Sequence, residues 1–160
     1  MKAIYPGSFD PFTLGHLNIL ERGVRLFEHV DVVVARNPAK TSMFTPEQRH
    51  QIIMLSTEHL ADSIRVIEYP GVVADYITEN QIDVIIRGIR GSTDLDYEIK
   101  LEQYNRKACN AETIYLTPET EHLNTSSTLV NMFLKTRKIE LASEYMAPKA
   151  MSYMRSLNNK

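Results

Sequence analysis

Cysteine is almost absent. Its single occurrence, Cys109, rules out an internal disulfide and suits a reducing compartment. No local cysteine-enzyme signature surrounds it, so it reads as a small residue in the last turns of a helix rather than as a nucleophile. Long apolar runs are missing too. No stretch approaches the roughly 18 uninterrupted apolar residues that a membrane span needs. Residues Met1 to Tyr5 run straight into a glycine turn, leaving no room for a secretory apolar segment. An excess of one charge sign is also lacking: 20 acidic residues against 18 basic give a net charge of −2. Neither nucleic acid nor an anionic membrane is attracted over distance, and no basic, aromatic-lined face is visible. The expectation is a cytoplasmic protein with no nucleic-acid and no membrane partner, in which basic groups placed locally hold any anionic ligand.

What is present is alternation. At 160 residues the chain suits one domain, residues 1–160, with a sizeable core. Short β-branched runs at Lys2–Tyr5, Asp31–Ala35, Ile64–Glu68, Asp83–Ile86 and Glu112–Leu116 predict five strands. Helical spacing fills the gaps. Leu17, Leu20, Val24 and Phe27 form one apolar stripe. Thr45-Pro46-Glu47-Gln48 reads as an N-cap, an N1 proline and an N3 glutamine. A third helix is expected over Val72–Asn80, with Val72, Val73, Tyr76 and Ile77 inward. A fourth is expected over Thr93–Lys107, with Tyr97, Leu101 and Tyr104 as its packing stripe. The remainder reads as helical: Ser126–Thr136, a piece through Ser143, and Pro148–Leu157. Strands this apolar, alternating with helices, predict an α/β fold: a doubly wound, Rossmann-like parallel sheet of five strands with C-terminal helices. Ligands of such sheets sit beyond the carboxyl ends of the strands.

Polar, glycine-containing segments fall at those ends. After the first strand, Gly7 and Ser8 let the backbone approach a phosphate. The helix opening near Gly15 aims its free N–H groups into the same space, with His16 in its first turn. Neither the dinucleotide fingerprint nor a Walker A loop is present. After the second strand comes Asn37-Pro38-Ala39-Lys40, whose lysine is by itself an ordinary surface charge. After the fourth, Arg87-Gly88-Ile89-Arg90-Gly91 offers two guanidinium forks suited to phosphate oxygens. Asp94, Glu98 and Asn105 make a polar stripe that by itself reads equally well as a solvated helix face. Thr125-Ser126-Ser127-Thr128 opens a helix with more hydroxyls than a cap requires, a second anion site.

Gly7-Ser8-Phe9-Asp10-Pro11 followed by Thr13-Leu14-Gly15-His16 resembles the signature of the nucleotidylyltransferase superfamily. Thr13, in place of that motif's first histidine, resembles the phosphopantetheine adenylyltransferase family. Arg87-Gly88-Ile89-Arg90, Asp94-Leu95-Asp96-Tyr97-Glu98 and Thr125–Thr128 extend the resemblance from Met1 to about Met151. Two segments depart from it, Gly91-Ser92-Thr93 and His122-Leu123-Asn124-Thr125, the second affecting the adenine and ribose contacts.

The resemblance implies direct in-line transfer of adenylate from ATP to 4′-phosphopantetheine, giving dephospho-coenzyme A and pyrophosphate without a covalent intermediate. It implies His16 as transition-state stabiliser, with Lys40 and Arg90 also catalytic. It places ATP on Ser8, Phe9, His16, Gly88, Ile89, Arg90, Glu98, His122, Leu123, Asn124, Thr125, Ser126, Ser127 and Thr128. It places the acceptor on Ser8, Lys40, Val73, Arg87 and Asn105. Mg2+ would ride mainly on the ATP phosphates with no metal site of the protein's own, coenzyme A would bind as a product-like inhibitor, and the assembly would be a homohexamer. Two rivals stay open: another nucleotidylyltransferase using nicotinate mononucleotide or a cytidine nucleotide, and a nucleotide-binding regulatory module without turnover.

Overall fold

The computed structural model describes residues 1–35 and 41–157. Within them, strands and helices alternate. In chain order these are β1 (Ala3–Gly7), α1 (Leu14–Gly23), β2 (Val30–Ala35), α2 (Pro46–Ser56), β3 (Ile64–Tyr69), α3 (Val73–Asn80), β4 (Val84–Gly88), α4 (Ser92–Ala108), β5 (Glu112–Leu116), α5 (Ser127–Lys135), α6 (Ile139–Ser143) and α7 (Pro148–Leu157). All strand pairs are parallel, in the order β3-β2-β1-β4-β5. Ala3 is in register with Val30 on one side and Val84 on the other. The chain winds outward from β1 to β3, then returns across β1 to build β4 and β5. The winding direction therefore reverses between β1 and β4, where a doubly wound sheet opens its ligand crevice.

The two faces of the sheet are covered because strand side chains alternate. Ala3 and Tyr5, Val32 and Val34, and Val84 and Ile86 enter the larger core with residues of α1, α2, α5 and α7. Ile4, Val33 and Ile85 point the other way, onto Ala74, Tyr76 and Ile77 of α3. Helix α2 starts where its cap dictates: the Thr45 hydroxyl accepts from Gln48 N, and the Gln48 side chain accepts from Thr45 N.

Several expectations change. Helix α1 ends at Gly23 rather than running on to Phe27, since glycine is a poor helix former; Val24 and Phe27 still pack on the core. Arg87 and Gly88 are the last residues of β4, not the loop after it. Val72 caps α3 and faces solvent. The expected packing stripe of α4 is largely exposed, Tyr97 at 62% and Tyr104 at 58%, whereas Glu98 is the helix's buried residue at 8%. This inversion arises because α4 flanks a cavity instead of a layer of protein side chains. Met146, Met151 and Met154 are core, whereas Leu141 is exposed. Cys109 caps α4, buried, with its thiol donating to Asn105 O. Among the described residues, no helix is long and apolar enough to cross a membrane.

Candidate active site

The switch point opens into a cavity of about 710 Å³ at the carboxyl ends of β1 and β4. Its first wall is the loop after β1. Gly7 has no room for a side chain, since a Cβ there would lie 2.8 Å from the Phe9 ring. Phe9 adopts φ +46°, a left-handed conformation unfavourable for a bulky residue. Its ring compensates by burial against Tyr5, Phe12 and His16, with centroids 5.2 to 5.3 Å apart. Ser8 and Phe9 both line the cavity.

His16 stands on the cavity floor at the third position of α1. The Thr13 N–H donates to its Nδ1 at 3.0 Å, and the Thr13 hydroxyl lies 3.0 Å from the same nitrogen. Nδ1 is therefore an acceptor, so a neutral ring carries its proton on Nε2 as a free donor. Burial, reinforced by the Arg90 and Arg87 guanidinium groups, pushes the imidazole pKa down to about 3. His16 is thus an uncharged N–H donor under physiological conditions. Gly15 beside it allows α1 to approach Thr125, whose Cβ lies 3.3 Å from where a side chain at position 15 would begin.

The opposite wall carries the arginines. Arg87 donates from Nε and Nη2 to both oxygens of Glu98 at 2.6 Å, and from Nη1 to Pro6 O at 2.8 Å. Three of its five N–H groups are used and two remain for a ligand. Burial works against its charge, but the Glu98 carboxylate more than compensates and holds its pKa above the usual arginine value. Arg90 donates to Asp94 at 2.9 Å and to Thr125 O at 3.2 Å, tying the β4–α4 loop to the entrance of α5. Tyr5 completes this corner. Its phenol is shifted upward by burial, against the pull of Arg87 and Arg90, and so stays protonated.

The cavity thus brings together Ser8, Phe9, His16, Val73, Arg87, Gly88, Arg90, Glu98, Asn105 and Thr125 of the expected set. Of the rest, those among the described residues lie outside its walls. Ile89 is buried and donates its N–H to Leu116 O, extending the sheet. His122, Leu123 and Asn124 belong to a short 3-10 turn and its exit, beyond Thr125. Ser126 caps α5 by accepting from Leu129 N, Ser127 donates to Pro11 O at 2.7 Å, and Thr128 is exposed. Lys40 lies outside the described residues. The sequence reading missed Tyr5, Tyr97 and Leu101 as cavity lining and Thr13 as the partner of His16. Tyr5 had a signal, namely its inward register at the end of the first β-branched run, two residues before Gly7. Thr13 was noted only as a motif variant.

A crevice at a parallel-sheet switch point, walled by a glycine loop, an imidazole N–H and two arginines, defines a nucleotide-binding α/β protein. Residues 4–133 match the model of the family described as cytidylyltransferase-like. Over 131 residues the chain is 45% identical to phosphopantetheine adenylyltransferase of Prochlorococcus marinus, covering 81% of this chain and 83% of that protein. The fold is also that of nicotinic acid mononucleotide adenylyltransferase of Plasmodium falciparum complexed with NaAD (TM-score 0.66, 19% identity, 98% and 95% of the chains). Thermotoga maritima TmcAL bound with alpha-thio ATP is similar as well (TM-score 0.67, 12% identity, 99% and 56%). The chain belongs to the cytidylyltransferase-like family and, within it, to the phosphopantetheine adenylyltransferases.

Proposed function

We propose that this enzyme transfers the adenylyl group of ATP to 4′-phosphopantetheine, releasing pyrophosphate and dephospho-coenzyme A, by direct in-line attack of the acceptor phosphate on the α-phosphorus. The observation that carries this reading is the neutral His16, its Nε2–H free, in one cavity with the Ser8–Phe9 backbone and the two arginines. Phosphoryl-type transfer needs positioning and charge stabilisation more than a nucleophile. The two phosphates that meet are both anionic, so a fixed donor and two guanidinium groups oppose their repulsion. His16 Nε2–H donates to the α-phosphate oxygen as charge builds there. The unused N–H groups of Arg87 take the acceptor phosphate together with Lys40, and Arg90 takes the triphosphate. The Val73, Leu101 and Asn105 wall suits the uncharged pantetheine arm.

Magnesium enters as part of the substrate, MgATP. The cavity carboxylates Asp94 and Glu98 are occupied by Arg90 and Arg87, which leaves phosphate oxygens and water as the natural ligands of the ion. Coenzyme A, sharing the acceptor's arm and an adenylate, would compete for the same cavity. We further propose a cytoplasmic homohexamer, for which the exposed Leu95, Ile99 and Tyr104 of α4 supply apolar surface. Light scattering on the purified protein tests the assembly.

The test of function is incubation with ATP and Mg2+ against a panel of acceptors. Dephospho-coenzyme A formed only with 4′-phosphopantetheine supports the reading. Pyrophosphate release with nicotinate mononucleotide instead, or with no acceptor, rejects it.

A further inference from the structure

Arg49 of α2 is 3% exposed and forms no ion pair among the described residues. A guanidinium this buried is ordinarily matched by a carboxylate. Its Nη1 donates to the Ser8 carbonyl at 2.6 Å, and its buried Nε has no acceptor. A trans peptide holds its C=O and the following N–H on opposite sides. Drawing the Ser8 oxygen toward α2 therefore turns the Phe9 N–H away from α2, and Ser8 and Phe9 line the cavity. That amide meets no protein acceptor among the described residues. The turn also forces φ +46° on Phe9, so it must be held from outside.

We propose that Arg49 is a positioning residue which clamps the Ser8–Phe9 peptide with its N–H aimed at a substrate phosphate and places an uncompensated positive charge behind it. The missing negative charge arrives with the ligand, on the far side of the loop. Arg49 itself lies outside the cavity wall and acts through the loop. This inference rests on reading the cavity as a phosphate site.

The experiment uses inorganic pyrophosphate as probe, with Arg49→Met and Arg49→Lys. Calorimetry gives the Kd, and amide NMR follows Phe9. In the wild type, pyrophosphate moves the Phe9 amide proton downfield. In Arg49→Met the Kd rises on the order of ten- to a hundredfold, as for loss of a charge-assisted hydrogen bond, and the Phe9 response is lost. Arg49→Lys, which keeps the charge and one donor, recovers most of the affinity. A purely structural arginine would lower the melting temperature and leave the Kd unchanged, and that result overturns the proposal. Should Arg49→Met fail to fold, the wild-type spectra decide: a Phe9 amide unmoved by saturating pyrophosphate overturns it. Pyrophosphate binding with the expected Arg49 dependence, but no dephospho-coenzyme A formed, would leave this proposal standing and remove the functional one.

Discussion

The Arg87 guanidinium and the Glu98 carboxylate meet edge to edge through two 2.6 Å hydrogen bonds, joining the end of β4 to the middle of α4. Their side chains are only 20% and 10% exposed, so water does little to screen the pair. Removing one partner leaves the other charge stranded, at a cost of about 3 kcal/mol. Glu98→Ala should lose that much in denaturant unfolding and weaken acceptor binding, because Arg87 is freed to wander. A loss under about 1 kcal/mol, the range of surface pairs, would mean that the pair is not what anchors α4.

His16→Ala should fold, bind ATP and turn over roughly 10²-fold to 10³-fold more slowly, the usual consequence of deleting one preorganised donor. Steady-state kinetics beside a binding isotherm separates the two effects. Near-normal kcat would strip His16 of its role.

The low pKa of His16 sets a pH dependence with a definite sign. Unfolded, the ring takes up a proton below its ordinary value of 6.5; folded, it resists until about pH 3. The unfolded state therefore binds more protons across that window, and the His16 contribution makes stability fall as pH drops through it. Activity should lack an acid limb near pH 6.5 from this group. Nitrogen NMR of the ring should find the Nε2–H form throughout the neutral range. A ring titrating near 6.5 contradicts this account.

Gly7→Ala should destabilise the protein by about 1–3 kcal/mol through overpacking, because the added methyl meets a Phe9 ring wedged among Tyr5, Phe12 and His16. A thermal melt of the variant suffices as a check. An unchanged melting temperature would mean that the aromatic cluster gives way more easily than its burial implies.

The strands were legible because β-branched runs buried on both faces leave a strong local imprint, as at Asp31–Ala35. The α2 start was legible because Thr45, Pro46 and Gln48 act on one another within a single turn. Phosphate-loop residues could be found for the same reason, their geometry being fixed by neighbours in the chain. Helix faces on α4 were not. Aromatic spacing is taken to mean an inward face, yet Tyr97 and Tyr104 are largely exposed and the Glu98 carboxylate is buried, paired with an arginine 11 residues earlier. Arg49 was invisible for a related reason: its partner, Ser8, is 41 residues away and contributes only a backbone oxygen. Such contacts belong to the tertiary fold.

Helix α4 is tethered to the rest of the described residues by three ion pairs, Arg87–Glu98, Arg90–Asp94 and the exposed Arg106–Glu112, and Glu98 is the one buried side chain along its 17 residues. Few apolar contacts hold it down, which puts it at the low end of local stability. In heavy water its amides should exchange for deuterium well before those of β1 and β2. A ligand spanning the arginines and the Leu101–Asn105 wall would then register first as a slowing of that exchange, giving a measure of occupancy that requires no turnover.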